Sequence, residues 1–100
     1  MSVLDKVWHL YIGQSWLGTL TPVNVDGDWV VAEFAQGDAW GNFAPWFVNS
    51  AKAFEEGDDE GWQLVYGQLS AMGIALVADD GETVEGPTVI TNGDTAWFAV

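Results

Sequence analysis

The chain has 100 residues, 49% of them apolar, and sets fifteen acidic side chains against two lysines and no arginine, for a net charge of −13. Binding to a phosphate backbone or an anionic lipid surface is excluded, because that affinity comes from Lys and Arg displacing counterions. Seven Trp, five Phe and two Tyr argue against intrinsic disorder, and the lack of cysteine removes disulfides, thiolate metal sites and a cysteine nucleophile.

In chain order, "VWHLYI" (7–12) and "WLGTLT" (16–21) are short β-rich runs flanking a glycine-containing turn. "PVNVDGD" (22–28) carries Pro22 and the turn pair Asp26-Gly27. "WVVAEF" (29–34) resumes strand composition, with apolar residues on both faces, so a neighbouring layer is expected over much of it. After the punctuation of "AQGDAWGN" (35–42) the period changes. Phe43, Phe47, Ala51 and Phe54 recur every three or four residues, which predicts a helix. Pro45 fits only its first turn, so the start is predicted within residues 42–45, with Asn42 as the cap.

A second helical stripe runs through Trp62, Val65, Tyr66, Leu69 and Met72, with Gly73 as terminator. Between the two lies "FEEGDDEG" (54–61). Glu55 and Glu56 would end the first helix, Gly57 would let the chain turn, and Asp58 and Asp59 would cap the second. The acidic run thus reads first as a solvated corner. Beyond it come "IALVA" (74–78), the turn "DDGE" (79–82), a weaker run in "TVEGPTVIT" (83–91), an Asn92-Gly93-Asp94 hairpin turn, and "TAWFAV" (95–100). Pro87 belongs at an edge or bulge. An edge strand near Pro87 or at "AWFAV" is a possible dimerisation surface, though nothing selects a dimer over a monomer.

The expected architecture is therefore α+β in the order β-β-β-α-α-β-β-β: an antiparallel sheet of about five to six short strands with two central helices on one face, in one domain over residues 1–100. The N-terminal "MSVLDKVWHLYIGQ" sets Asp5 beside Lys6 and interrupts a short apolar run with His9, unlike a secretory signal. No run reaches the roughly 18 apolar residues of a membrane span. A soluble cytoplasmic protein is expected.

Chemistry-bearing patterns are scarce. A helix–loop–helix calcium loop starting at Glu56 puts Gly61 correctly at about the sixth position, but Gly67 stands at about the twelfth, where a bidentate glutamate is needed. Asn24, Asp26 and Asp28 imitate the first half of the same motif, with Trp29 in place of its glycine. His9, the single histidine, could serve Ser15 across the first hairpin, but no nucleophile elbow accompanies them. Glu33 is the one acid inside an apolar strand, and it would matter for glycoside cleavage only if it pointed inward. Phosphate-cradling glycine motifs are absent. No metal site and no cofactor is expected.

The tryptophans are the remaining clue. Trp16, Trp29, Trp40, Trp46 and Trp97 exceed what a small core easily encloses. Trp40, in "GDAWGN", and Trp46, near the predicted helix start, are the candidates for an exposed aromatic patch, with Glu55, Glu56, Asp58 and Asp59 as its acidic companions.

The stretches "WLGTL", "WVVAEF", "NFAPWF", "WQLVYGQL" and "NGDTAWF" together resemble a group of short bacterial reading frames whose domains have no known function. The resemblance implies an α+β fold and a bacterial intracellular origin, and no activity or catalytic residue. The expected function is a small acidic non-enzymatic module that meets a basic protein partner. Solubility or adaptation to high salt explains the charge equally well. The alternatives are an immunity or inhibitor protein against a basic partner, even a nucleic-acid mimic, and a carbohydrate-binding or hydrolytic domain pairing Trp with a carboxylate.

Overall fold

The computed structural model describes residues 6–99; Asp5 and Val100 lie outside them. Strand β1 (Trp8–Ile12) alternates strictly, sending Trp8, Leu10 and Ile12 inward and leaving His9 and Tyr11 on the other face. Strands β2 (Ser15–Asp26) and β3 (Trp29–Gln36) follow, then helices α1 (Trp40–Glu55) and α2 (Asp59–Ala71). Four more strands complete the fold: β4 (Ile74–Ala78), β5 (Thr83–Glu85), β6 (Thr88–Asn92) and β7 (Thr95–Ala99). All seven strands join one antiparallel sheet in the order β5-β4-β1-β2-β3-β7-β6. The α+β class and element order agree with the sequence reading, with one or two strands more.

The additional strand comes from a break in residues 83–91, which the sequence presents as one run. Gly86 takes φ +63°, and Pro87 has no N–H to give a ladder, so the run splits there. Its two halves pair at opposite margins of the sheet, β5 with β4 and β6 with β7. Six strand spacings in a flat sheet would separate those margins by about 29 Å. The link from Glu85 to Thr88 can span at most about 11 Å. The sheet must therefore curl until its margins meet. The inward residues of the strands share one core with Trp40, Phe47, Tyr66 and Leu69 from the helices, which fill the concave side.

Tyr66 seals the seam. Its buried hydroxyl donates to the Pro87 carbonyl and accepts the Val89 N–H at 2.7 Å. Val89 belongs to the marginal strand β6 and Pro87 immediately precedes it, and an open margin would otherwise offer a template for another chain. On the β4 side, Gly86 N–H donates to Ile74 O at 3.1 Å. Near Pro87 the margin is thus capped at Val89, and residues 96–99 of "AWFAV" belong to β7, an interior strand rather than an edge.

Two other expectations are corrected. Strand β2 does not end at Thr21 but continues through Pro22 to Asp26, with an irregular register between Pro22 and Asn24. Proline is tolerated there because the described ladder with β1 ends at Leu20 opposite Trp8. Helix α1 begins at Trp40, before the predicted start, and Pro45 stands inside it beyond the first turn. Ala39, not Asn42, occupies the cap position and makes no side-chain cap bond. The early start is held by aromatic packing, since the Trp40 ring meets Phe34 edge-on at 4.7 Å and Phe47 at 5.1 Å.

Candidate functional site

The acidic corner folds as the sequence suggests. Gly57 (φ +71°) follows the end of α1 in the left-handed conformation. Its N–H donates to Phe54 O, and the Asp58 N–H reaches Ala53 O, the paired bonds of a Schellman motif. Asp58 then caps α2 by accepting the Gly61 N–H at 3.0 Å. Asp59 and Glu60 occupy the first turn of α2, where the helix dipole favours negative charge. Asp58 is therefore explained by its cap bond, and Glu56 is the C-cap residue of α1. Glu55 and Asp59 do something more.

Glu55 lines one and Asp59 the other of two adjoining clefts that share Trp29 and Phe54. Alternation puts Trp29 and Val31 on the face opposite the buried Val30 and Ala32. Register sets Val31 beside Trp97, and Trp97 beside Ile90, in one row across β3, β7 and β6. Phe54, at the end of α1, reaches past the β6 margin to meet Trp29 edge-on at 5.9 Å. The result is a cleft of about 260 Å³ with Trp29, Trp97 and Ile90 as its apolar walls, Phe54 as its lip and Asp26, Glu55 and Asn92 as its polar rim. Phe54 is 50% exposed. The second cleft, about 410 Å³, lies against the same pair and brings in Asp28, Asp59 and Trp62.

The aromatic candidates taken from the sequence fare differently. Trp40 is 9% exposed and belongs to the core, so it is not a patch residue. Its loop position in "GDAWGN" turned into the first turn of a helix that buries it. Trp46 is half-buried, packs against the core and lies 6.1 Å from Phe43. Neither lines the cleft of Trp29 and Trp97, although Trp40 and Glu55 both border a separate depression alongside Lys52 and Thr91. Trp29, Phe54 and Trp97, with Asp26 and Asp28, are the residues that sequence reasoning missed as a group. The available signal was strand β3 being apolar on both faces directly after an acidic turn.

The catalytic candidates are also relocated. His9 stands opposite Thr19, while Ser15 faces Ile12. His9 Nδ1 lies 3.2 Å from Thr19 Oγ1, and Nε2 lies 2.9 Å from Asp79 Oδ1. A hydroxyl, an imidazole and a carboxylate thus line up, but Thr19 sits within a strand paired on both sides, so its backbone N–H groups belong to ladders rather than to an oxyanion hole. The arrangement ties β1 to the turn after β4. Lys6 reinforces it through ion pairs with Asp80, at 3.1 Å, and Glu82. Those bonds raise the Lys6 ammonium above its usual value, while the Glu82 N–H, followed by Lys6, holds Asp80 below the usual carboxylate range. Glu33 is exposed and near Asp94 rather than in the core. The pairing of Trp40 with an acid therefore loses its exposed indole. Among the described residues no cluster of three or more His, Asp or Glu is placed to hold a metal ion, and no helix is long and apolar enough to cross a membrane.

No family model, curated protein or solved structure matches the chain.

Proposed function

We propose that the chain is a small acidic, non-enzymatic interaction module of the cytoplasm that grips a basic protein through the cleft between Trp29 and Trp97. The observation that carries this reading is the combination in one place of aromatic walls and an anionic rim without a cation among its lining residues. Half-exposed aromatics suit an interface, since rigid rings bury large area at low entropic cost. The carboxylates beside them suit a basic partner by speeding encounter and fixing orientation.

The test is affinity capture from lysate at low and at high salt, with the captured protein identified, purified and rebound. The expected result is one basic partner whose association slows as salt screens the rim. Finding no specific partner under either condition would end the reading.

One observation favours a narrower version, an immunity or inhibitor protein against a basic enzyme. Asp26 and Asp28 from the hairpin join Glu55 and Asp59 from the corner around the two adjoining clefts, and Glu56, Asp58 and Glu60 neighbour the last two in sequence. Loss of the captured partner's activity on adding the purified chain distinguishes inhibition from mere tethering.

A further inference from the structure

The geometry points to a specific occupant: the cleft between Trp29 and Trp97 is a receptor for an arginine side chain presented by a different protein. This assignment rests on the interaction-module reading and names the chemistry of its central contact.

Two features of the cleft select the guanidinium. The walls are aromatic and aliphatic, from Trp29, Trp97 and Ile90, so an entering cation must give up water on its broad faces. A guanidinium is planar and weakly hydrated and stacks readily on indole, whereas an ammonium is a compact, strongly hydrated charge. The rim offers carboxylates from two separate elements, Asp26 in the β2–β3 hairpin and Glu55 at the end of α1, with Asn92 at the end of β6. Acceptors on two separate elements suit a forked donor whose N–H groups point outward in the guanidinium's own plane.

The source of the arginine follows from composition. The chain contains none, so neither the molecule itself nor a second copy can supply one. A second copy would also bring its own net charge of −13 to the same surface. Of the two lysines, Lys6 is held by Asp80 and Glu82, and Lys52 lines the separate depression on the other side of Glu55. The occupant is a foreign basic segment with an exposed arginine.

The experiment titrates the isotope-labelled protein with a blocked Gly-Arg-Gly peptide and with its citrulline and lysine counterparts, following the indole N–H signals. The arginine peptide is expected to shift the signals of Trp29 and Trp97. The neutral citrulline peptide should bind about 10-fold more weakly or less, and lysine several-fold more weakly. Asp26→Asn and Glu55→Gln, both at exposed positions, should each weaken arginine binding by roughly 3- to 10-fold. Glu85→Gln, on β5, should leave it unchanged. Absence of indole shifts, equal binding of citrulline, or indifference to both rim substitutions would overturn the assignment.

The two ideas fail separately. A captured partner that binds Asp26→Asn and Glu55→Gln as tightly as the native chain overturns the arginine assignment and the cleft as the gripping surface, and leaves only the non-enzymatic interaction module standing. Arginine binding with no partner ever captured supports the cleft and ends the module reading.

Discussion

Removing one oxygen atom from Tyr66 tests how the curled sheet is closed. In Tyr66→Phe the ring keeps its place in the core and its stack on Trp62, whose centroid lies 5.1 Å away. What disappears is the hydroxyl that bonds both Pro87 O and Val89 N–H. Each buried backbone group left without a partner costs about 1–3 kcal/mol. Partial access of water to a marginal strand lowers that cost, so a total of about 2–4 kcal/mol is expected. Against a whole stability of roughly 5–15 kcal/mol this is a large fraction. At about 4–8 °C per kcal/mol for a domain of this size, Tm should fall by on the order of 10–25 °C. Urea unfolding followed by tryptophan fluorescence gives the free energy, and hydrogen exchange at Val89 reports the local opening. Tyr11→Phe, on the other face of the sheet, serves as the control. A Tyr66→Phe loss within about 0.5 kcal/mol of that control, the ordinary range for surface changes, would refute the argument that this hydroxyl closes the seam.

Three further outcomes are expected. Burial pushes the Tyr66 hydroxyl well above its ordinary value of 10.0, so the unfolded chain ionises first; this contribution is whole below about pH 10 and falls above it by up to ~1.4 kcal/mol per pH unit, a slope that Tyr66→Phe should abolish in alkaline urea titrations. Trp40→Ala should cost about 3–5 kcal/mol in chemical denaturation, as a core deletion does, where an exposed patch residue would cost almost nothing. Asp58→Ala removes the acceptor of the Gly61 N–H and should cost about 0.5–2 kcal/mol by the same measurement, with little effect on peptide binding to the Trp29 cleft.

Much of the fold was legible in the residues because local rules decided it. Strand β4 matches the apolar run at 74–78, and α2 matches its stripe, with Met72 at the C-cap and Gly73 at φ +86°. The acidic corner was legible for the same reason, since a glycine between helices and an aspartate before Gly61 have only a few backbone solutions. The division of residues 83–91 was not legible. Pro87 marks an edge or bulge, but the pairing of the two halves with β4 and β7 at opposite margins depends on the curl of the whole sheet. Trp40 was misplaced because loop composition around it was outweighed by what its ring gains against Phe34 and Phe47. The cleft was invisible for a related reason. Trp29, Phe54 and Trp97 come from three distant parts of the chain, and only the pairing of β3 with β7 and the reach of α1 past β6 bring them together.

The seat of β7 also bears on the order of assembly. It lies between β3 and β6 although it is the last described strand to leave the ribosome. Until Thr95–Ala99 emerge, β6 has no strand to pair with, and β3 waits with one flank bare. A nascent chain halted just short of β7 would therefore present two sticky borders at once, so the interval before β7 emerges carries the greatest exposure to misassembly.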